Sequence, residues 1–352
     1  MKAGIIGYAR SGKTTIFNAI TGSHAEVGAF GSRDANVAVL KVPDVRLDRL
    51  AEIYKPKKVT FAEFQFVDIA PSDTSVQDKA LSDAALRLLR NVDALVHVVR
   101  AFANENVPHP LGSIDPIRDC RLLEEELQLL DLIVIEKRLE RLEKENRKDA
   151  HYQLLSRCKE HIESGASLRS LALAPHEEKE LAGYGFLSQK PLLVLGNYGE
   201  ESIGKTDPAG LATYAADTHN PVVDLCGAME LEVARLPEQE RAAFRNELGL
   251  GEESRIRFLQ AAYELLGLIS FLTAGEPEVR AWTIRKGTRA VDAAGEIHSD
   301  IQRGFIRAEV IAYDDFISAG SMHKAKELGL VRLEGKDYIV KDGDIILFRF
   351  NV

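Results

Sequence analysis

The chain has 352 residues, 45% hydrophobic and 28% charged, the composition of an ordinary globular protein with room for two or three domains and a sizeable core. Its net charge of −9 argues against broad non-specific nucleic-acid binding but leaves room for a local basic face. Three scattered cysteines (Cys120, Cys158, Cys226) make neither a disulfide framework nor a thiolate metal cluster and suit a reducing cytoplasm, with Cys226 in an apolar strand pattern where core packing is expected. No apolar run reaches the length of a membrane span, and the expected strand begins so early that no signal peptide is anticipated.

The first predicted element is a short apolar strand, Ala3-Gly4-Ile5-Ile6. It runs into Gly7-Tyr8-Ala9-Arg10-Ser11-Gly12-Lys13-Thr14 and then a helix-like stretch from Thr15 to Ile20. Strand, G-x-x-x-x-G-K-[ST] and helix in that order make a P-loop. Its glycines let backbone N–H groups turn inward on a phosphate, Lys13 supplies a point charge, and the Thr14 hydroxyl is placed to ligate Mg²⁺. The helix N-terminus adds partial positive charge beneath. Residues Gly7 to Thr15 are therefore expected to hold nucleotide phosphate.

Further strands are predicted at Ala38-Val39-Leu40-Lys41-Val42, Phe64-Gln65-Phe66-Val67-Asp68 and Ala94-Leu95-Val96-His97-Val98-Val99, the last a continuous apolar run typical of a buried parallel strand. His97 within it reads as a core histidine. Asp68 ends its strand where a Walker-B acid reaches Mg²⁺ through water. A GTPase-like switch would continue Asp-x-x-Gly, the glycine N–H donating to the γ-phosphate. Here the order is Asp68-Ile69-Ala70-Pro71, and proline has no N–H. The next residue, Ser72, is a candidate to hold a catalytic water, or an ordinary loop serine. Arg10 is a candidate arginine finger, or a solvent-exposed side chain.

From about residue 120 the texture becomes helical. Leu132, Ile135, Leu139 and Leu142 are spaced 3, 4, 3, a short coiled-coil seam, and the spacing resumes at Leu155, Cys158 and Ile162 after a polar break at 145–149. This predicts an antiparallel helical hairpin over roughly 120–165, with Arg141, Lys144, Arg147 and Lys148 at its tip as either a solvated face or a partner-binding one. The α/β pattern returns at Pro191–Asn197 and Pro221–Ala228, so the helical arm is an insertion in a discontinuous domain. The first of these strands leads into Asn197-Tyr198-Gly199-Glu200, where a guanine-specific protein would carry Asn-Lys-x-Asp. The lysine that covers the base is missing and the acid is one carbon longer. Asn197 and Glu200 read as base-loop residues or as turn formers. Past an amphipathic stretch from Arg257 to Leu272, Val279–Ile284 alternates with period two, and Lys336–Val340 with Ile345–Phe350 is predicted as a hairpin around Asp342-Gly343. Those last 80 or so residues read as a small α+β domain.

Order and wording of these segments together resemble the YchF-type proteins, the Obg-like ATPase branch of the translation-factor GTPases. The resemblance rests on the P-loop, Val42-Pro43-Asp44-Val45-Arg46-Leu47-Asp48, Val67-Asp68-Ile69-Ala70, Glu136-Lys137-Arg138-Leu139-Glu140-Arg141-Leu142, Asn197-x-x-Glu200 and, most specifically, Val279-Arg280-Ala281-Trp282-Thr283-Ile284 and Leu333 to Asp344. It implies a Ras-like α/β P-loop NTPase domain (1–118 and 187–268), a helical coiled-coil insertion (119–186) and a C-terminal β-grasp, or TGS, domain (269–352). It also implies ATP preferred over GTP, slow Mg²⁺-dependent hydrolysis, and association with ribosomes or translation complexes through the arm and the TGS domain, in the cytoplasm, with no membrane and no sequence-specific DNA partner. Mapped here, Gly12, Lys13 and Thr14 serve phosphate and magnesium, Ser32 stands in for the first-switch threonine as a metal ligand beside Asp68, and Cys226-Gly227-Ala228 closes over the base. The switches depart from the family: Pro71-Ser72-Asp73-Thr74 replaces its glycine-rich second switch. Two further readings stay open, a nucleotide-sensing module that hydrolyses little or nothing, and a GTP-binding protein.

Overall fold

A computed structural model describes residues 1–22, 35–69, 83–251 and 253–351. Ser32, Pro71 and Ser72 lie outside the described residues. In chain order the described strands are β1 (Lys2–Ile6), β2 (Ala35–Lys41), β3 (Val59–Thr60), β4 (Glu63–Ile69), β5 (Ala94–Ala101), β6 (Leu192–Tyr198), β7 (Val222–Leu225), β8 (Leu268–Ala274), β9 (Val279–Arg285), β10 (Phe305–Ala312), β11 (Arg332–Glu334) and β12 (Asp344–Phe350). The chain forms two compact units, one of residues 1–39 with 65–261 and the other of 40–64 with 262–352.

The first unit is built on a sheet of order β2-β4-β1-β5-β6-β7. Strands β4-β1-β5-β6-β7 pair in parallel, with Ile5 opposite Asp68 and Val96, and Asn197 opposite Arg100 and Leu225. Every residue of β6, and of β5 up to Arg100, is buried, as the apolar runs predicted for strands covered on both faces. The P-loop leaves the C-terminal end of β1, between β4 and β5, and the base loop leaves the same end of β6. Ligands of open α/β sheets bind at such carboxyl ends. Phe66 stacks on Phe17 of the helix Lys13–Thr21, ring centroids 5.7 Å apart, and so seats the helix that follows the loop on the sheet.

The helical hairpin forms as its spacing predicts. Its helices are Pro116–Lys144, capped by Asp115 with proline in the first turn, and Ala150–Glu163, capped by Asp149. Ile135, Leu139 and Leu142 bury against Leu154, Leu155, Cys158 and Ile162. The first half of the long helix is not arm but core, since Leu123 and Leu127 pack with Val67, Leu95 and Leu192. Cys120, Cys158 and Cys226 are free and buried. At the tip, Arg141 bonds Glu145 at 2.9 Å and Arg147 bonds Asp149 at 2.9 Å, so half of the basic cluster is paired with local acids.

The second unit carries a mixed sheet of order β11-β10-β12-β8-β9-β3. Its core joins Phe271, Ile284, Phe305 and Phe348 to the helix Ala290–Ile297. Residues 40–64, expected within the nucleotide domain, belong here instead. Leu47 and Leu50 of the helix Val45–Tyr54 are fully buried with Leu272, Val279, Phe316 and Ile345. Val59 pairs in parallel with Val279, and Arg46 joins Asp44 at 2.8 Å to Asp342 at 2.7 Å. The expected hairpin around Asp342-Gly343 does not form either. β12 pairs antiparallel with β10, while the 336–341 segment docks on 288–291 through Ala290 N to Tyr338 O (2.7 Å) and Val340 N to Thr288 O (3.0 Å). The Asp342-Gly343 turn itself closes, Asp344 N donating to Lys341 O at 3.2 Å with Gly343 at φ 79°, while Asp342 is taken up by Arg46 and by the Ser270 N–H at 2.8 Å. Of the basic side chains on this unit, Arg289 is held by Asp292 and Asp337, and Arg280 lies 3.8 Å over the Trp282 ring.

Candidate nucleotide site

The loop Gly7–Gly12 is wound so tightly that two positions admit only glycine. Gly7 has φ 141° and a Cβ there would collide with the Val98 carbonyl oxygen. Gly12 has φ 93° and its Cβ would collide with Asn197 Nδ2. Arg10 turns through φ 64° without being glycine. Ser11 is buried and Ala9 exposed. Gly12 also caps the N-terminus of the helix Lys13–Thr21, which carries no acid of its own in its first turn.

Lys13 folds back over the loop, Nζ donating to Gly7 O and Tyr8 O, both at 2.8 Å. Burial pulls its pKa down to about 8, against the opposite pull of Asp68. Thr14 Oγ1 donates to Asp68 Oδ2 at 3.3 Å. Asp68 is 2% exposed, and burial raises its carboxyl pKa while Lys13, Thr14 and Asn36 lower it. Its Oδ1 is buried without a hydrogen-bond partner. A hydroxyl and a carboxylate with a free lone pair are hard oxygen donors of the kind a divalent cation takes, so Thr14 and Asp68 are the residues that could hold one. His97 lies beneath the loop, 1% exposed and with neither ring nitrogen bonded. Burial first and Lys13 second lower its pKa to about 3, so it is a neutral core histidine.

Asn197 is 4% exposed and both ends of its carboxamide are bonded. Nδ2 donates to Ser11 O at 3.0 Å, and Oδ1 accepts from Gly227 N at 3.0 Å. It ties the phosphate loop to the Cys226–Ala228 loop, and Gly227 opens the helix Gly227–Arg235. Glu200 sits exposed in the one-turn helix Glu200–Ser202 beside this tie, and Cys226 is buried with Tyr198 and Val233. Thr15 is half-buried and Ala228 exposed. Arg10 is solvent-exposed and donates through Nη1 to Pro108 O at 3.2 Å. The segment after β5 carries no motif of its own, yet it borders the P-loop. A Cβ on Gly12 would lie 3.9 Å from Phe102 Cε1, and Arg100 stacks on that ring at 4.6 Å. The available signal was the arginine closing an otherwise apolar strand.

The Lys13 pKa sets a pH dependence. A triphosphate favours the ammonium, so above about 8 binding must be accompanied by proton uptake. Affinity for Mg·ATP is expected to be flat below pH 8 and to fall towards tenfold per pH unit above it. Calorimetric titrations in buffers of different ionisation enthalpy read the proton directly, and no uptake at pH 9 would refute the assignment.

A glycine-cradled loop between a strand and a helix, a lysine and threonine at its end and an acid on the adjacent parallel strand define a P-loop nucleotide-binding domain of the Ras-like class. The "50S ribosome-binding GTPase" family model matches residues 2–137, and the YchF-type GTPase C-terminal model, described as "Protein of unknown function (DUF933)", matches 268–351. The Ribosome-binding ATPase YchF of Bacillus subtilis is 43% identical over 100% of both chains, and that of Haemophilus influenzae 40% identical over 100% of this chain and 99% of the other. The Schizosaccharomyces pombe YchF GTPase structure superposes with TM-score 0.87 at 28% identity, covering 99% of this chain and 97% of that one. The chain belongs to the YchF family.

Proposed function

We propose that this protein is a Mg²⁺-dependent purine-nucleotide-binding ATPase that binds ATP in preference to GTP, turns it over slowly, and acts with the ribosome in the cytoplasm through its helical arm and C-terminal unit. The observation that carries the reading is the Gly7–Thr14 cradle tied by Asn197 to the base loop. Gly12 and Lys13 hold phosphate. Thr14 and Asp68 hold the metal, with Ser32 as a further ligand, and the metal supplies charge neutralisation of the phosphates. Glu200, one carbon longer than the guanine-reading acid and with no lysine before it, departs from the guanine pattern, and the printed name ATPase of the relatives supports ATP over GTP. The relatives' printed names, ribosome-binding ATPase, support the partner and the activity. No described helix is long and apolar enough to cross a membrane.

Slow turnover follows from Pro71. A missing preorganised donor at the developing charge costs roughly 10²–10³ in rate. The second reading, a nucleotide sensor without turnover, draws on the same residue. Calorimetric titration of ATP, ADP, GTP and GDP with Mg²⁺, then single-turnover hydrolysis on the same sample, tests base choice and chemistry separately. Multiple turnover at ordinary rates without a partner would sink slow hydrolysis, and tighter GTP than ATP would sink the preference. Arg10, already engaged by Pro108 O, is expected to be no arginine finger. Arg10→Ala should leave the single-turnover rate at saturating ATP within twofold, and a fall of tenfold or more would restore the finger.

A further inference from the structure

The long helix Pro116–Lys144 buries one side and leaves aliphatic side chains bare on the other. Leu123, Leu127 and Ile135 are buried, while Leu122, Leu129 and Ile133 are 37%, 57% and 41% exposed. Single exposed apolar residues are ordinary on a protein surface, but these three are aligned. They stand seven and four residues apart. At about 100° per residue they fall within about 40° of one line, spread over about 16 Å of helix. Two turns further along that line comes Glu140, and Glu125 and Glu136 lie beside it. The face then opens into a groove of about 400 Å³ between the two helices of the hairpin, where Glu136, Glu140 and Glu143 face Glu160 and Glu163. Lysines answer few of these acids. Lys159 is already held by Glu136 at 2.9 Å and by Glu163 at 3.6 Å, and Lys137 is the exposed cation among them.

We propose that this outer face docks a basic amphipathic helix of a partner protein. Its aliphatic side chains cover Leu122, Leu129 and Ile133, and its lysines and arginines meet the glutamates alongside. Charge complementarity selects the partner. Carboxylates flanking an aliphatic seam attract cations and repel nucleic-acid phosphate, and the net charge of −9 draws a basic partner from a distance. Anchors seven and four residues apart are those of helix on helix, so the matching segment is itself helical. The surface is distinct from the basic residues at the tip of the hairpin, and it does not depend on the nucleotide site.

The test is fluorescence anisotropy on the full chain with a labelled three-heptad leucine–lysine peptide, its leucines at the a and d positions. A scrambled isomer of the same charge and no apolar face controls for plain charge attraction, and a single-stranded RNA of the same length probes the other class of partner. The ordered peptide is expected to bind at least about tenfold more tightly than the scrambled one. Leu129→Gln with Ile133→Gln should cost the ordered peptide about tenfold or more and leave the scrambled one within about twofold. Glu125→Gln with Glu140→Gln should weaken both peptides and flatten their salt dependence. Glu240→Gln with Glu247→Gln, exposed acids of the separate helix Glu238–Leu248, should leave both within about twofold. Should Leu129→Gln with Ile133→Gln melt below wild type, Leu122→Lys, a like charge set into the seam, decides in its place with the same loss expected. Equal binding of the two peptides, wild-type affinity in the seam variant, an equal loss in the Glu240 and Glu247 pair, or RNA bound more tightly than the ordered peptide overturns the proposal.

Discussion

Lys13→Met is expected to weaken Mg·ATP by a hundredfold or more while leaving the protein as stable or stabler. Nζ sits at the mouth of the loop on Gly7 O and Tyr8 O, and a triphosphate would draw it into charge-assisted bonds. Such bonds are worth about 1.5–3 kcal/mol each, so losing two of them accounts for at least a hundredfold. Stability moves the other way because burial disfavours the charged form and brings the pKa down from 10.5 to about 8. Below pH 8 both the folded and the unfolded chain carry this proton and the folded state bears the whole cost of the buried charge. Between about 8 and 10.5 the unfolded chain binds more protons than the folded one, so stability rises with pH across that window. Methionine removes the charge at every pH. Thermal melts at pH 7 and pH 9.5 should show the wild type gaining on the variant as pH rises. A variant that melts well below wild type at pH 7 while still binding ATP would refute both halves.

Asn197→Ala should cost about 3 kcal/mol of stability and at least tenfold in ATP affinity. It leaves the Ser11 carbonyl and the Gly227 N–H buried and unbonded, each worth about 1–3 kcal/mol. Asn197→Asp separates the two bonds. A carboxylate still accepts from Gly227 N but cannot donate to Ser11 O, and it places negative charge behind the phosphate loop. The aspartate variant is therefore expected to melt above the alanine variant and to bind ATP more weakly. Chemical denaturation and calorimetry read the two quantities separately. If Asn197→Ala binds ATP as wild type does, the tie has no part in nucleotide binding.

The P-loop, the buried strands β5 and β6 and the helical arm were legible because each is a local pattern. Continuous apolar runs, a 3-4-3 seam and fixed glycine spacings are set by side chains a few residues apart. Asn197 was legible as a candidate site residue but its bonds were not: partners 186 and 30 positions away are invisible to any window. The turn at Asp342-Gly343 forms but the hairpin does not, because the segment before it bonds to 288–291 and β12 pairs with β10, partners no local window contains.

The sequence by itself determined that the protein carries a P-loop at residues 7–14 on a parallel sheet and that a helical hairpin interrupts that domain. Only the tertiary structure decided that residues 40–64 are part of the C-terminal unit. Leu47, Leu50 and Val59 carry the same apolar signal whichever core they enter, and the choice is made by the surface they bury, Leu272, Val279, Phe316 and Ile345. Periodicity states that a face will be buried, and long-range packing states against what.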